Sequence, residues 1–534
     1  KGCVDCVPRI LIVFSIHPKK LRHERVIGGS IFLFSLFRRD QPPEVKLNLK
    51  SMRFPSTMNL FYLIAPQALF VHCAIARTFV LSLMVSIGLS SANEEDPIDP
   101  LTVNDWPQYL GPQRDTIWRE EGVALEFSKH QPKLLWSAPL GSGYSGPAVA
   151  NGRVYVMDRQ AKPYKPKDLK PGTNLNFVRA TIPGTERIVC LDEESGKLLW
   201  SDIYEANYTS VFPYAIGPRT TPLVDDGMVY TLGAEGALHA YDAEHGMLIW
   251  RKNLISEYKF ETPLWGTSAH PLIDGELLIC IVGGENSTVV AFDKKTGEEK
   301  WKALNARSPG YSTPVIETVN GHRQLLVWDA ENVNGLDPKT GEVFWSVEFK
   351  PEYGMAVGAP RVWKDLVYVM GFNGKSAAIR VDTEGRSAKV AWGRDLRKGV
   401  AGVMNTAYVR DGFVYSGGRK GLFRCIEIET GRRVWAAEEP LQKADGSGRG
   451  PWLQAFTVHH EPSGRTLIFN DHGEMIVAEL SPKGYREVSR MSIIDPTHTV
   501  SGRLLVWSHP ALANRRVYCR NDKEIRCWDL SGGR

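Results

Sequence analysis

One nine-residue pattern constrains this chain more than any other feature: Asp, two residues, Thr or Ser, Gly, three residues, Trp. It runs from Asp192 to Trp200 around Gly196, from Asp242 to Trp250 around Gly246 with His245 in the Thr/Ser place, from Asp293 to Trp301 around Gly297, and from Asp337 to Trp345 around Gly341. A looser copy ends at Trp392, Glu427 replaces the Asp ahead of Gly431 and Trp435, and a degenerate copy at Glu479–Gly484 has no Trp. Counted from Trp136, successive Trp residues lie 64, 50, 51, 44, 47 and 43 residues apart. Upstream of each turn, Asn151-Gly152, Asp226-Gly227, Asp274-Gly275 or Asp411-Gly412 sits between β-rich runs. Such a pair accepts positive φ at both central positions and marks a two-residue hairpin. Four strand signals in each period of about 40–50 residues mean propeller blades.

The unit has a physical logic. The Asp accepts backbone N–H groups across its turn, and the Gly supplies a left-handed position. The Trp buries about 150–250 Å² between sheets, roughly 4–6 kcal/mol gross. Trp136, Trp200, Trp250, Trp301, Trp345, Trp392 and Trp435 are therefore read as packing residues. Hairpins near 147, 221, 270, 313, 359, 406, 456 and 509 count eight units. The eighth runs out of chain before a fourth strand, and an unpaired early strand, Lys133–Trp136, is available to close the ring. The expected fold is all-β: an eight-bladed β-propeller of four-stranded antiparallel blades over 131–534, closed by an N-terminal strand.

Residues 1–92 differ from the rest. They carry 12 Lys+Arg against 4 Asp+Glu, whereas the remaining 442 residues hold 53 against 56. The net charge of +5 thus resides at the N-terminus, and the body offers no basic surface for nucleic acid. Arg77, the apolar run Thr78–Leu89 and the small residues Ser90 to Ala92 have the layout of an export signal. Residues 1–57 are expected to be an extension outside the mature protein, 58–92 the signal region and 93–130 a lead-in segment. A periplasmic or secreted monomer, touching membrane only through export, is the expectation. Cys3 and Cys6 form a lone pair too sparse for zinc.

The repeat resembles the pyrroloquinoline-quinone-type propeller repeat of quinoprotein alcohol dehydrogenases and of the outer-membrane-protein assembly propeller lipoprotein. Asp105-Trp106-Pro107, Gly111-Pro112 and Arg114-Asp115 resemble the opening of exported bacterial proteins of this type. The resemblance to the dehydrogenases implies a quinone and calcium held by acidic and Asn ligands under a disulfide of adjacent cysteines. No adjacent Cys pair and no C-x-x-C-H haem site occur, so no cofactor, catalytic residue or metal site is expected. A quinoprotein-like dehydrogenase with a non-standard site is the alternative. The Gly-rich run Gly141–Gly146 is followed by a strand rather than a helix, so it reads as an inter-blade turn. Cys519 and Cys527 flank one hairpin and are expected to be able to form a disulfide. His459, His460 and His472 are expected to be ordinary surface histidines.

In such blades the B–C loops and the D-to-A connections share one face. Nearly every D-to-A connection carries an aromatic residue just before strand A: Tyr144, Tyr214, Trp265, Tyr311, Tyr353, Trp452 and Trp507. The candidate ligand-binding set is Tyr144, Arg219, Trp265, His270, Tyr311, Trp452, Trp507 and His509. The first B–C loop, Arg159 to Arg187, is long and carries Lys162, Lys165, Lys167 and Lys170. An aromatic rim with a few polar groups suits a protein or glycan ligand, and a binding or scaffold role is the expected function.

Overall fold

Short strands and tight turns of fixed chemistry build a ring. The computed structural model describes residues 104–532 without 162–169, 171–172, 374–375, 394–396, 451 and 501. The stretches expected to be an extension and an export signal, with Cys3 and Cys6, and the loop residues Lys162, Lys165 and Lys167 lie outside the described residues. Eight four-stranded antiparallel blades are present, as the repeat predicts. With strands lettered A to D, blade 1 holds Ala148–Ala150, Arg153–Ala161, Gly184–Asp192 and Leu198–Glu205. Blade 8 holds Ala511–Ala513, Arg516–Arg520 and Glu524–Asp529, and takes Lys133–Pro139 as its strand D. That last pairing is antiparallel, with Ser137 opposite Arg526, so the early strand closes the ring. Blade 7 gains a fifth strand, Ile117–Trp118, parallel to Ala455–His460.

The turns have the conformations their residues favour. Asn151-Gly152 and Asp226-Gly227 both take positive φ, at 53° and 72° and at 47° and 72°, as two-residue hairpins of this hand require. In the Asp-x-x-Thr-Gly turns, Asp192 Oδ1 accepts the Ser195 N–H at 2.8 Å and Asp293 Oδ1 the Thr296 N–H at 2.9 Å. One extra residue precedes the Trp in strand D, seen as register shifts between Leu134 and Trp136 and between Leu248 and Trp250. This bulge kinks the outer edge of each blade.

The Trp locks one blade to the next. Trp136 Nε1 donates to Glu193 O at 2.9 Å, Trp200 to Ala243 O at 3.1 Å, Trp250 to Lys294 O at 3.0 Å and Trp392 to Ile428 O at 2.6 Å. Each acceptor follows the turn's acidic residue in the succeeding blade. The indole also lies on that turn's Gly: a Cβ on Gly196, Gly246, Gly341 or Gly431 would come within 2.5–2.7 Å of Trp136, Trp200, Trp301 or Trp392. The Gly is therefore required both for its φ and for the space above it. The looser fifth copy breaks the pattern, and Trp345 Nε1 donates instead to Gln324 Oε1 of its own blade at 2.7 Å.

The lead-in segment threads the ring. Trp106 exchanges backbone hydrogen bonds with Val149 at 2.8 and 2.9 Å, Pro107 O accepts from the Val224 N–H at 2.9 Å, and Thr116 O from the His459 N–H at 2.8 Å. Arg114 Nη1 donates to Pro271 O at 2.6 Å, and Arg361 Nη1 to Arg114 O at 2.8 Å. These partners belong to, or adjoin, strand A of blades 1, 2, 7, 3 and 5, so Trp106–Thr116 occupies the middle of the ring. Gly111 lets the segment reverse, because a Cβ there would sit 2.9 Å from the Trp106 ring.

Two expectations are corrected. Cys519 pairs in register with Arg526, and Cys527 with Tyr518. The two thiols therefore fall on opposite faces of the hairpin, because a one-residue offset reverses side-chain direction. The five described cysteines are free and buried, and burial pushes the Cys527 thiol up to about 12. The histidines are not at the surface either. His459 and His460 are buried, and His460 Nε2 lies 2.7 Å from Glu120 O of the lead-in chain. His472 Nε2 lies 3.2 Å from Gly448 O, and its side chain is 7% exposed.

Candidate functional site

The D-to-A face is shaped by the long B–C loop of blade 1. Arg159 anchors its base. The guanidinium donates to Ala215 O at 3.0 Å, Ile182 O at 2.7 Å and Ala206 O at 3.3 Å, and its Cζ lies 3.5 Å from the centre of the Tyr208 ring. Glu186 is buried and accepts from the hydroxyls of Tyr204 and Tyr208 and from the Ala234 N–H. Beside this pinned base lies an open groove of about 1190 Å³ between the loops of blades 8, 1 and 2. Its walls include Gly141 and Ser142, Gln160 and Thr185, and His498 with Asp522.

A polar chain runs along this wall. The Tyr144 hydroxyl lies 3.1 Å from His498 Nε2, and His498 Nδ1 lies 3.5 Å from Asp522 Oδ2. The Gly143 N–H donates to Asp522 Oδ1 at 3.2 Å. Trp507 stands 6.2 Å from the Tyr144 ring, and the Arg219 guanidinium stands 5.3 Å from it on its way to Tyr214 O and Gly217 O. Burial raises the Tyr144 hydroxyl above the ordinary phenol range, so it stays protonated and can hydrogen-bond His498. The structure thus brings Tyr144, Arg219 and Trp507 together.

The other candidates lie elsewhere. Trp265 and Tyr311 pack edge to face at 5.9 Å, and the Trp265 N–H donates to the Tyr311 hydroxyl at 3.3 Å. Trp452 stacks on Phe372 at 5.0 Å and begins an aromatic strip. Phe372 leads to Tyr353 at 6.4 Å, and Tyr353 to Phe177 of the long loop at 5.8 Å. Tyr353 is 56% and Phe177 49% exposed. Tyr353 holds φ 56°, a left-handed position that is costly for an aromatic residue and kept only where the surroundings impose it.

His270 and His509 do not reach the rim. Tyr109 of the threaded segment stacks on the His270 ring at 3.7 Å and 7°, and it meets His509 edge-on at 5.1 Å. Burial holds His270 well below the usual imidazole range and His509 at about 4, so both are neutral packing groups. Sequence reasoning missed His498, Asp522, Phe177 and Phe372. The first two gain meaning only from their position beside Tyr144, and no spacing rule marks them. Asp471, in the B–C loop of blade 7, is a further buried acid. Neither of its carboxylate oxygens has a hydrogen bond, Arg503 Nη1 is 3.5 Å away, and burial lifts it to about 7.

Among the described residues no three His, Cys, Asp or Glu side chains gather as a metal site. The cysteines are single and buried, and Trp106–Thr116 fills the middle of the ring.

An eight-bladed ring locked by Trp on Gly defines a β-propeller of the pyrroloquinoline-quinone-like class. The family model described as outer membrane protein assembly factor BamB matches residues 184–397 and 382–534, and the chain belongs to that family. BamB of Yersinia pestis is 25% identical over 375 residues, covering 61% of this chain and 84% of that protein. BamB of Moranella endobia (strain PCIT) is 23% identical over 334 residues, covering 58% and 72%. Among solved structures, BamB from Moraxella catarrhalis is 16% identical with TM-score 0.48, covering 74% of this chain and 99% of that one. Quinohemoprotein alcohol dehydrogenase ADHIIG from Pseudomonas putida HK5 is 12% identical with TM-score 0.49, covering 81% of each. The family match begins at strand C of blade 1, so the threaded segment and the closing strand lie outside it.

Proposed function

We propose that this chain is an exported docking propeller that holds a segment of a partner protein on its D-to-A face. The observation that carries the reading is the groove of about 1190 Å³ walled by Ser142, His498 and Asp522. A groove set on the blades of a closed ring suits binding, because little order is lost when a ligand settles. Its relatives are named outer membrane protein assembly factors, and holding a protein chain in a periplasmic compartment fits that kind of task. The exposed Tyr353 and Phe177 offer aromatic anchors of the sort that dominate protein interfaces.

A photo-crosslinking residue in place of Thr499, on the groove wall, should yield covalent adducts of protein mass in producing cells. The same residue at Lys302, on the rim of blade 3, should not. Equal adduct yields at both sites would remove the groove from the reading. The dehydrogenase alternative is tested by mixing the protein with pyrroloquinoline quinone and calcium and desalting it. No retained quinone absorbance is expected, and one quinone per chain would replace the docking reading with an oxidoreductase.

A further inference from the structure

In blades 8, 1 and 2 the bulge of strand D falls on an apolar residue. The residue skipped by the pairing register is Leu135, Leu199 or Ile249, and in blade 3 it is Lys300. A skipped residue meets no partner across the sheet, so it and the residue before it both stand in solvent. Leu134 with Leu135, Leu198 with Leu199, and Met247–Ile249 are each 42–64% exposed. These seven are half of the fourteen large apolar side chains exposed among the described residues, and they come from three consecutive blades. An apolar strip concentrated in this way marks an interaction surface rather than ordinary scatter.

The chemistry of the strip separates a lipid surface from a protein partner. Protein interfaces are anchored by aromatic residues and Arg and are poor in Lys. Here the indoles of strand D are committed to the turns of the next blade, and the exposed side chains are aliphatic. Lys133 and Lys197 open the two Lys-Leu-Leu-Trp runs; both are exposed, and neither has an ion pair among the described residues. The acids of the adjoining turns are already occupied. Glu194 meets Arg516 at 2.7 Å and Glu244 meets Arg153 at 3.6 Å, while Asp192 accepts from the Ser195 N–H and hydroxyl. Aliphatic side chains beside unpaired lysines suit the acyl boundary and anionic headgroups of a leaflet. The lysine stem lies along the apolar strip while its ammonium stays among the headgroups.

The described chain enters the ring in the same sector. Asn104 O accepts the Asn514 N–H at 3.1 Å, and Asp105 Oδ2 accepts the Asn151 N–H at 3.2 Å. These are the A–B hairpins of blades 8 and 1, which share a face with the turns ahead of the strip. The apolar run Thr78–Leu89 precedes this entry by 15 residues, at most about 50 Å of extended chain.

We infer that the strip on blades 8, 1 and 2 seats the ring on an anionic lipid surface. The proposal does not rest on the groove or its ligand, and it departs from the expectation that membrane is met only through export. The strip adjoins the Thr-Gly turns and the groove opens on the D-to-A face, so a seated ring keeps the groove toward water.

A fluorescent amino acid in place of Leu199, in the full chain, should brighten at least about twofold on vesicles of equal phosphatidylglycerol and phosphatidylcholine, and spin-labelled lipid should quench it. The same residue in place of its counterpart Lys300 should stay unchanged. Lys133→Gln with Lys197→Gln should raise the lipid concentration for half the Leu199 signal about thirtyfold at low salt. The altered side chains are exposed, so unchanged melting serves as the folding control. A chain that sediments with the vesicles while the Leu199 signal stays flat overturns the proposal, because the contact then lies elsewhere. A response as large on pure phosphatidylcholine, one indifferent to the two lysine changes, or one that appears without lipid as the protein is concentrated each overturns it as well.

Discussion

Blades 8, 1 and 2 present a different rim from blades 3 and 6, although all keep the Trp of strand D and the bulge before it. Just ahead of that Trp, the first three place Leu134-Leu135, Leu198-Leu199 and Met247-Leu248-Ile249 in solvent, each 42–64% exposed. The corresponding positions hold Glu298, Glu299 and Lys300 in blade 3 and Arg432 with Arg433 in blade 6, while blades 4 and 5 are mixed, Glu342 preceding Val343 and Lys389 preceding Val390, with the valines 42% and 38% exposed. Both sets keep the Trp and the bulge. The rim adds nothing to the blade-to-blade lock, so its chemistry is free to follow whatever lies outside the ring. Charged rims discourage strand addition, and apolar ones do not. The groove and the ring closure lie in the same sector as the apolar rims.

The sharpest way to break the comparison is to open the special sector. Deleting Gln131–Pro139 leaves blade 8 with three strands and strips Trp136 from Gly196. The expected loss is about 5 kcal/mol or more, which is as large as the stability margin of many domains, and cooperative melting should vanish. An unchanged melting temperature would mean that the closing strand is ornamental.

Next in size is the lock itself. Trp136→Ala at the seam and Trp392→Ala in the plain half should each cost about 3–5 kcal/mol, because both indoles are buried, donate to the next turn and lie on its Gly. Chemical denaturation of the two variants side by side checks this. A seam variant costing under half as much would show that the seam is not an ordinary junction.

Acid should act oppositely on blades 2 and 7. Burial holds His239 of blade 2 at about 4, below its ordinary value near 6.5. Its contribution is complete above that value and is lost as pH falls toward 4. Asp471 of blade 7 is lifted to about 7, so its contribution is complete below about 4 and is lost as pH rises through 7. Urea midpoints at pH 4.5 and 8 should show His239→Asn flattening the acid limb and Asp471→Asn gaining most at pH 8. Shifts of the same sign in both variants would contradict the assignment.

The smallest effect concerns the rim. Ile203→Lys in blade 1 and Lys300→Leu in blade 3 should both leave unfolding free energy within about 0.5 kcal/mol, read from urea denaturation. A larger change in either would show that the rim takes part in packing after all.

Most of the ring was legible from residue order. The Trp spacing, the Asn-Gly and Asp-Gly hairpins and the stray strand at Lys133 were enough for eight blades and their closure, because turn chemistry acts locally. The second duty of the turn glycines, as the floor under an indole one blade away, was not legible, since it depends on the docking of neighbouring sheets. Tyr144, Arg219 and Trp507, which the structure brings together, each sit just before, or two residues before, a predicted strand A. His270 and His509 obeyed the same rule yet lie under Tyr109, because nothing local announces that residues 106–116 thread the ring. The Cys519–Cys527 pairing failed on a single step of register, which symmetry of sequence about Lys523 cannot fix.

The strand that shuts the ring precedes blade 1 in the chain, and its mate, Glu524–Asp529, is the last strand of blade 8. Contacts of such long sequence separation form late, since the intervening chain must first be brought together. During synthesis Lys133–Pro139 precedes blade 1 and waits through seven blades for the edge it pairs with. Until the last hairpin appears the molecule is an open arc with two raw ends, and this is the interval in which a holding chaperone would matter most to its yield.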